Sequence, residues 1–167
     1  MCAGLMALSC GARPADLRAV FASFKGVEHR IETARTLRGV TYINDSKATN
    51  VDSTVTALRA LGGGKTIWLI LGGLDKGVPY APLRPLVKAS VKTVLTIGKA
   101  APLIEKELRG AAPVKRTVTL ERALKTAASS ARPGDIVLLS PACASFDQFR
   151  DFEHRGSEFK RLAGRLE

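Results

Sequence analysis

The chain has 167 residues, 46% of them hydrophobic and 25% charged, with a formal net charge of +11 at pH 7. That suits one compact domain with a small appendage, with no apolar run of about 18 residues to cross a membrane and no positively charged start to make a secretory signal of MCAGLMALSCGARP. The basic excess suits phosphate-bearing ligands, but 5% aromatics, the absence of a basic run and of any helix-turn-helix or RNP-like signature argue against nucleic acid as partner.

In chain order, residues 3–11 and 15–23 read as two short helices around a turn at Gly11–Pro14, too small to form a core alone. IETARTL and VTYIND are β-leaning runs joined at Arg38–Gly39. Val51, Val55, Leu58 and Leu61 fall at helical spacing in VDSTVTALRAL. Thr49, Asn50 or Asp52 caps that helix, and Gly62–Gly63–Gly64 ends it. TIWLILGG is a continuous apolar run of the kind found in buried parallel strands. After the loop LDKGVPYAP come a helix PLRPLVKAS, a strand VKTVLTIG, a helix APLIEKELRG and a weaker strand VKRTVTL. A helix LERALKTAASSA, a buried strand IVLLSPA and an amphipathic helix FEHRGSEFKRLAGRL complete the chain. The alternation predicts an α/β fold: a Rossmann-like, mostly parallel sheet flanked by helices, preceded by a short helical piece.

Ligands of open α/β sheets bind beyond the carboxyl ends of the strands. Here those ends run into Asn44–Asp45–Ser46–Lys47–Ala48–Thr49–Asn50, Gly72–Gly73–Leu74–Asp75–Lys76–Gly77, Gly98–Lys99 and Ser140–Pro141–Ala142–Cys143–Ala144–Ser145. A solvated loop with a helix cap explains one or two of the polar groups in the first segment. It does not explain why Asp45 and Lys47 lead straight off an apolar strand. No P-loop occurs, since Lys76 precedes Gly77 with no Ser or Thr after it; as a compact charge Lys76 suits a carboxylate. His29–Arg30, in the link before the first strand, is placed for a phosphate contact, whereas His154 reads as an ordinary helix residue. The cysteines Cys2, Cys10 and Cys143 make an odd set without C-x-x-C spacing, which points to reduced thiols and no zinc, with Cys143 in packing.

Four segments, FKGVEHRIE (24–32), GVTYINDSKATNVDST (39–54), LGGLDKG (71–77) and LLSPACASFDQFRDFEHRGSEF (138–159), carry a resemblance in order and spacing. The chain resembles the C-terminal, amino-acid-binding domain of the Mur family of ATP-dependent ligases of peptidoglycan synthesis. Asp45–Ser46–Lys47 stands where sister branches have a histidine-containing motif, and is similar to the D-glutamate-adding branch. The resemblance implies a cytoplasmic enzyme that uses ATP and magnesium: ATP phosphorylates the carboxylate of UDP-MurNAc-L-alanine, and the amine of D-glutamate attacks the acyl phosphate. It implies Lys47 beside the reacting centre, and Thr49, Lys76, Ser145, the backbone of Phe146 and the ring of Phe152 around D-glutamate. His29, Arg30 and Asp45 are implied at the nucleotide. Many relatives carry an aliphatic residue where Phe146 stands.

The family has three domains, and against that pattern residues 1–25 match only the end of the central ATP-binding domain and residues 26–167 the C-terminal domain. The P-loop, the magnesium carboxylates and the modified lysine of the family have no counterpart here. The expectation is therefore a part of a ligase, inactive alone, with no complete ATP or metal site and with the N-terminal and central domains as partners. The competing expectations are a stand-alone module binding dicarboxylates or nucleotides, and a basic accessory protein for nucleic acid.

Overall fold

The computed structural model describes residues 2–24 and 26–167. Helices α1 (Cys2–Ser9) and α2 (Pro14–Ser23) come first, the second opening on Pro14 with Asp16 in its first turn. Both suit a helix start, because proline lacks an N–H that would go unpaired and a carboxylate meets the positive end of the dipole. Leu5, Met6, Val20, Phe21 and Phe24 stay exposed on this pair. The expected boundary between residues 25 and 26 falls on Lys25, outside the described residues.

The body alternates strands and helices as expected. A hairpin of β1 (Glu32–Leu37) and β2 (Val40–Asn44) turns through Arg38 and Gly39, both at positive φ. This two-residue turn twists with the strands and so favours an antiparallel pair. Then follow α3 (Val51–Leu61), β3 (Ile67–Gly72), a 3-10 turn (Ala81–Leu83) running into α4 (Arg84–Ser90), and β4 (Val91–Ile97). The remaining elements are α5 (Ala101–Glu107), β5 (Val114–Val118), α6 (Leu120–Ala128), β6 (Ile136–Leu139) and α7 (Phe152–Gly164). Of the three candidate caps for α3 it is Asn50 whose side chain accepts from Ser53 N, at 2.9 Å. α5 and α6 each stop about one turn short of the runs APLIEKELRG and LERALKTAASSA.

Among the described residues the strands form one sheet in the order β1-β2-β6-β3-β4-β5, parallel except for β1. β3 alternates its burial between the two faces. Ile67, Leu69 and Leu71 join Val51, Leu58, Leu83, Val87, Ile104 and Leu108 under α3, α4 and α5. Trp68 and Ile70 join Leu120, Leu124, Phe159 and Ala163 under α6 and α7. Each such side chain, fully withdrawn from water, contributes about 1.5–3 kcal/mol, and the two layers clamp the sheet from both sides.

The order also places the site. β6, last in sequence, inserts between β2 and β3. β2, β6 and β3 thus end side by side, with their loops converging on one rim. Gly73 lets them close. At φ +140°, it sits where a Cβ would come within 2.2 Å of Ala144 O, so only glycine lets the β3 and β6 exits touch.

Candidate functional site

The loop after β2 is held from beneath. Asn44 is fully buried, its Oδ1 accepting from Ser46 N at 3.2 Å while its Nδ2 donates to His29 Nδ1 at 3.0 Å and to Glu32 Oε2 at 3.0 Å. His29 is itself buried, against Gly156 of α7, where an added Cβ would lie 2.2 Å from its Nδ1. Its carbonyl accepts from Lys47 N at 3.0 Å. The His29 ring thus braces the loop from the interior and lines neither of the cavities described below, while the adjoining Arg30 does reach one.

Asp45 is 4% exposed, and Ser140 Oγ donates to its Oδ2 at 2.7 Å while Ile31 N donates to Oδ1 at 3.3 Å. Burial raises its pKa, against the partial relief of the Ser140 and Ile31 hydrogen bonds and the charge of Arg30. Ile31 is β-branched with φ +45°. A conformation of that kind costs on the order of 1–3 kcal/mol and persists only where its surroundings enforce it. Here Asp45 does so.

The strongest constraint at the rim is Arg155. It is completely buried, and its Nε donates to Ser46 Oγ at 3.0 Å, its Nη2 to Ser46 O at 2.9 Å, and both terminal nitrogens to Cys143 O at 3.2 Å. None of these partners is a carboxylate. Burial brings its pKa down to about 10. One guanidinium therefore straps the β2 exit to the β6 exit, with no carboxylate hydrogen-bonded to it and the charge of Asp147 acting on it from nearby.

Among the described residues, two cavities open on this rim around the β2, β3 and β6 exits. The first, ≈ 250 Å³, is lined by Arg30, Ile31, Asp45, Lys47, Ala48, Ser53 and Thr56. The second, ≈ 370 Å³, is lined by Thr49, Lys76, Ala144, Ser145, Phe146, Asp151, Phe152 and Glu153. Lys47 belongs to both neighbourhoods, lining the first while its ammonium sits 5.2 Å from the centroid of the Phe152 ring in the second. The second cavity presents an ammonium and two hydroxyls for carboxylates, carboxylates of its own for an ammonium, and aromatic walls. A groove of ≈ 380 Å³ between α6 and α7 lies away from the strand ends. Its Arg161 and Lys125 are already paired with Glu158 and Glu121.

The five residues expected around an amino acid, Thr49, Lys76, Ser145, Phe146 and Phe152, line one cavity; Lys47, Arg30 and Asp45 line the other. Sequence reasoning gave no role to Arg155, Asp151 and Glu153, and placed Ser140 only as part of the β6 exit. For Arg155 a signal was present: it stands four and eight residues before Phe159 and Ala163, on the buried face of its helix. Cys143 is buried, as its packing role requires, and burial raises its thiol to about 11. Among the described residues no group of three or more His, Cys, Asp or Glu comes together as metal ligands, and no helix is long and apolar enough to cross a membrane.

Comparison with known proteins agrees with the geometry. The family described as Mur ligase, glutamate ligase domain, matches residues 29–143. The chain is 49% identical over 162 residues to a UDP-N-acetylmuramoylalanine--D-glutamate ligase of Elusimicrobium minutum, covering 97% of this chain and 36% of that protein. It is 51% identical over 164 residues to a ligase of the same name from Anaeromyxobacter dehalogenans, covering 98% and 35%. It thus spans about a third of the length of the curated relatives it matches. Among solved structures, the MurF ligase of Thermotoga maritima in complex with ADP superposes with a TM-score of 0.56 at 20% identity, covering 90% of this chain and 37% of that one. A murein peptide ligase of Psychrobacter arcticus gives 0.55 at 13% identity, covering 89% and 31%. At such identities these two speak to the fold alone.

Proposed function

Because this chain belongs to the Mur ligase family through its glutamate ligase domain, we propose that it forms the amino-acid-binding part of a cytoplasmic ligase that joins D-glutamate to UDP-MurNAc-L-alanine at the expense of ATP. The observation that carries this reading is the pair of cavities that share the Asp45–Thr49 loop. In the second, Lys76 holds one carboxylate of D-glutamate and Thr49 and Ser145 the other, while Phe152 and the Phe146 backbone shape the walls. In the first, Arg30 contacts nucleotide phosphates and Asp45 the ribose. His29 supports Arg30 from below rather than touching the nucleotide.

Lys47, between the cavities, stands where an acyl phosphate and an incoming amine meet. A fixed ammonium there favours the negative charge that builds up as the nitrogen–carbon bond forms and phosphate departs with the electron pair of the broken carbon–oxygen bond. The amine arrives as an ammonium and loses its proton to solvent before attack. The described residues supply no ligand set for magnesium. In the same reading residues 26–167 are the amino-acid-binding domain and residues 1–25 the end of an ATP-binding domain, which agrees with the apolar side chains exposed on α1 and α2. Whole-enzyme ligation then depends on the remaining domains.

Calorimetric titration of this chain with D- and L-glutamate tests the pocket. D-glutamate should bind more tightly than L-glutamate, and Lys76→Ala should weaken it about tenfold or more. Binding that ignores handedness and survives Lys76→Ala would instead favour a general dicarboxylate-binding module.

A further inference from the structure

We propose that Tyr80 is the positioning residue for Lys76: its buried hydroxyl joins Asp75, next to Lys76, to Cys143, two residues before Ser145, and so fixes the two sides of the amino-acid cavity relative to each other. The inference rests on the reading of that cavity as an amino-acid pocket. Lys76 itself is exposed and makes no ion pair among the described residues, so its place is set by its backbone.

That backbone is pinned on either side. Leu74 N donates to Ala144 O at 2.8 Å. Asp75 is held by both oxygens: Oδ2 accepts from Gly77 N at 3.0 Å, and Oδ1 from the Tyr80 hydroxyl at 2.8 Å. The Tyr80 oxygen also lies 3.0 Å from Cys143 Sγ.

The direction of these bonds follows from proton counting. Tyr80 has one proton to give and gives it to Asp75. Its oxygen is then left to receive the Cys143 thiol. Burial, with Cys143 and Asp75 beside it, holds Tyr80 far above the ordinary phenol range, and burial raises Cys143 to about 11, so neither gives up its proton near neutrality. The order Cys143 to Tyr80 to Asp75 is fixed, and it ends one residue from Lys76. Tyr80 is 1% exposed. A phenylalanine would fill that space equally well, so the hydroxyl is needed for its bonds and not for its volume.

The test takes the side-chain carboxylate as the one Lys76 holds and uses this chain with two ligands that differ only there, D-glutamate and D-glutamine, titrated by amide NMR. Wild type should prefer D-glutamate. Tyr80→Phe should cut that preference about tenfold, the worth of one hydrogen bond to a charged group, and Asp75→Ala should cut it as much. Adding Tyr80→Phe to Lys76→Ala should lower the preference no further than Lys76→Ala alone. Cys143→Ser, which keeps a donor for Tyr80, should retain the preference. An unchanged preference in Tyr80→Phe or in Asp75→Ala, or a loss that multiplies with that of Lys76→Ala, overturns the proposal. If wild type binds neither ligand, the amino-acid reading of the cavity fails, and the positioning role falls with it.

Discussion

Replacing Arg155 with methionine separates what this buried guanidinium does for stability from what it does for the site. Its hydrogen bonds end on Ser46 Oγ, Ser46 O and Cys143 O. Removing the donor leaves two buried carbonyls short of a partner, at about 1–3 kcal/mol each. Against this, methionine also removes a desolvated charge. A pKa brought from 12.5 down to about 10 corresponds to a burial cost of roughly 3 kcal/mol. The two effects largely offset, and the net loss should lie between about zero and 3 kcal/mol, small enough to leave a folded protein. The site should suffer more, because among the described residues no other hydrogen-bonding group bridges Ser46 and Cys143. A misplacement on the order of 1 Å in a binding constellation can cost about a hundredfold. Urea unfolding and calorimetry with D-glutamate on the same variant measure both quantities. A stability loss above about 5 kcal/mol would show that the charge is a net anchor of the fold; unchanged D-glutamate affinity would refute the strap.

Three further outcomes follow from the same contacts. Burial raises the Asp45 carboxyl, so the folded state binds its proton more tightly than the unfolded chain. Ionised Asp45 then lowers stability above its folded pKa, an effect absent below its unfolded value. Asp45→Asn should leave the protein as stable or more stable at pH 7 in chemical denaturation, while weakening nucleotide binding by calorimetry. Asp135 behaves in the opposite sense: burial pushes it up, but Lys92, the Arg132 amide and the Trp68 indole outweigh this and hold it below the usual range. Its contribution should be complete above the unfolded pKa of about 3.9 and lost as pH falls through the lower folded value, and Lys92→Met should remove about 2 kcal/mol of it at pH 7. Gly156→Ala drives a methyl into His29 and should lower stability by about 1–3 kcal/mol in thermal unfolding. Much of that loss should return when His29→Ala is added.

The alternation of strands and helices was legible because β3 and β6 are short, continuous apolar runs bounded by small residues, which leave few other states open to them. The position of β6 between β2 and β3 was not. It depends on pairings between residues about a hundred positions apart, such as Asn44 with Leu139, and no local pattern encodes those. Lys47, Thr49, Lys76 and Ser145 were legible as parts of strand exits, since a charged or hydroxyl side chain close behind a buried strand has only the rim to occupy; Phe152, which opens α7 well beyond β6, was named only through the family resemblance. His29 was read with Arg30 at the phosphate, yet its ring turns inward to Asn44. The clue lay far along the chain, in a glycine at position 156 that leaves room for an imidazole. Arg155 was hidden by its neighbours Glu153 and His154, which give the start of α7 the look of a solvated turn. Only the pairing of its face with Phe159 and Ala163 betrays it.

The most direct test of the central claim is an amide NMR titration of the isotopically labelled chain with D-glutamate. Shifts should concentrate at Thr49, Lys76, Ser145, Phe146 and Phe152, with much weaker changes for L-glutamate at the same concentrations. Shifts that gather instead in the groove between α6 and α7, or that are equal for the two enantiomers, would contradict it.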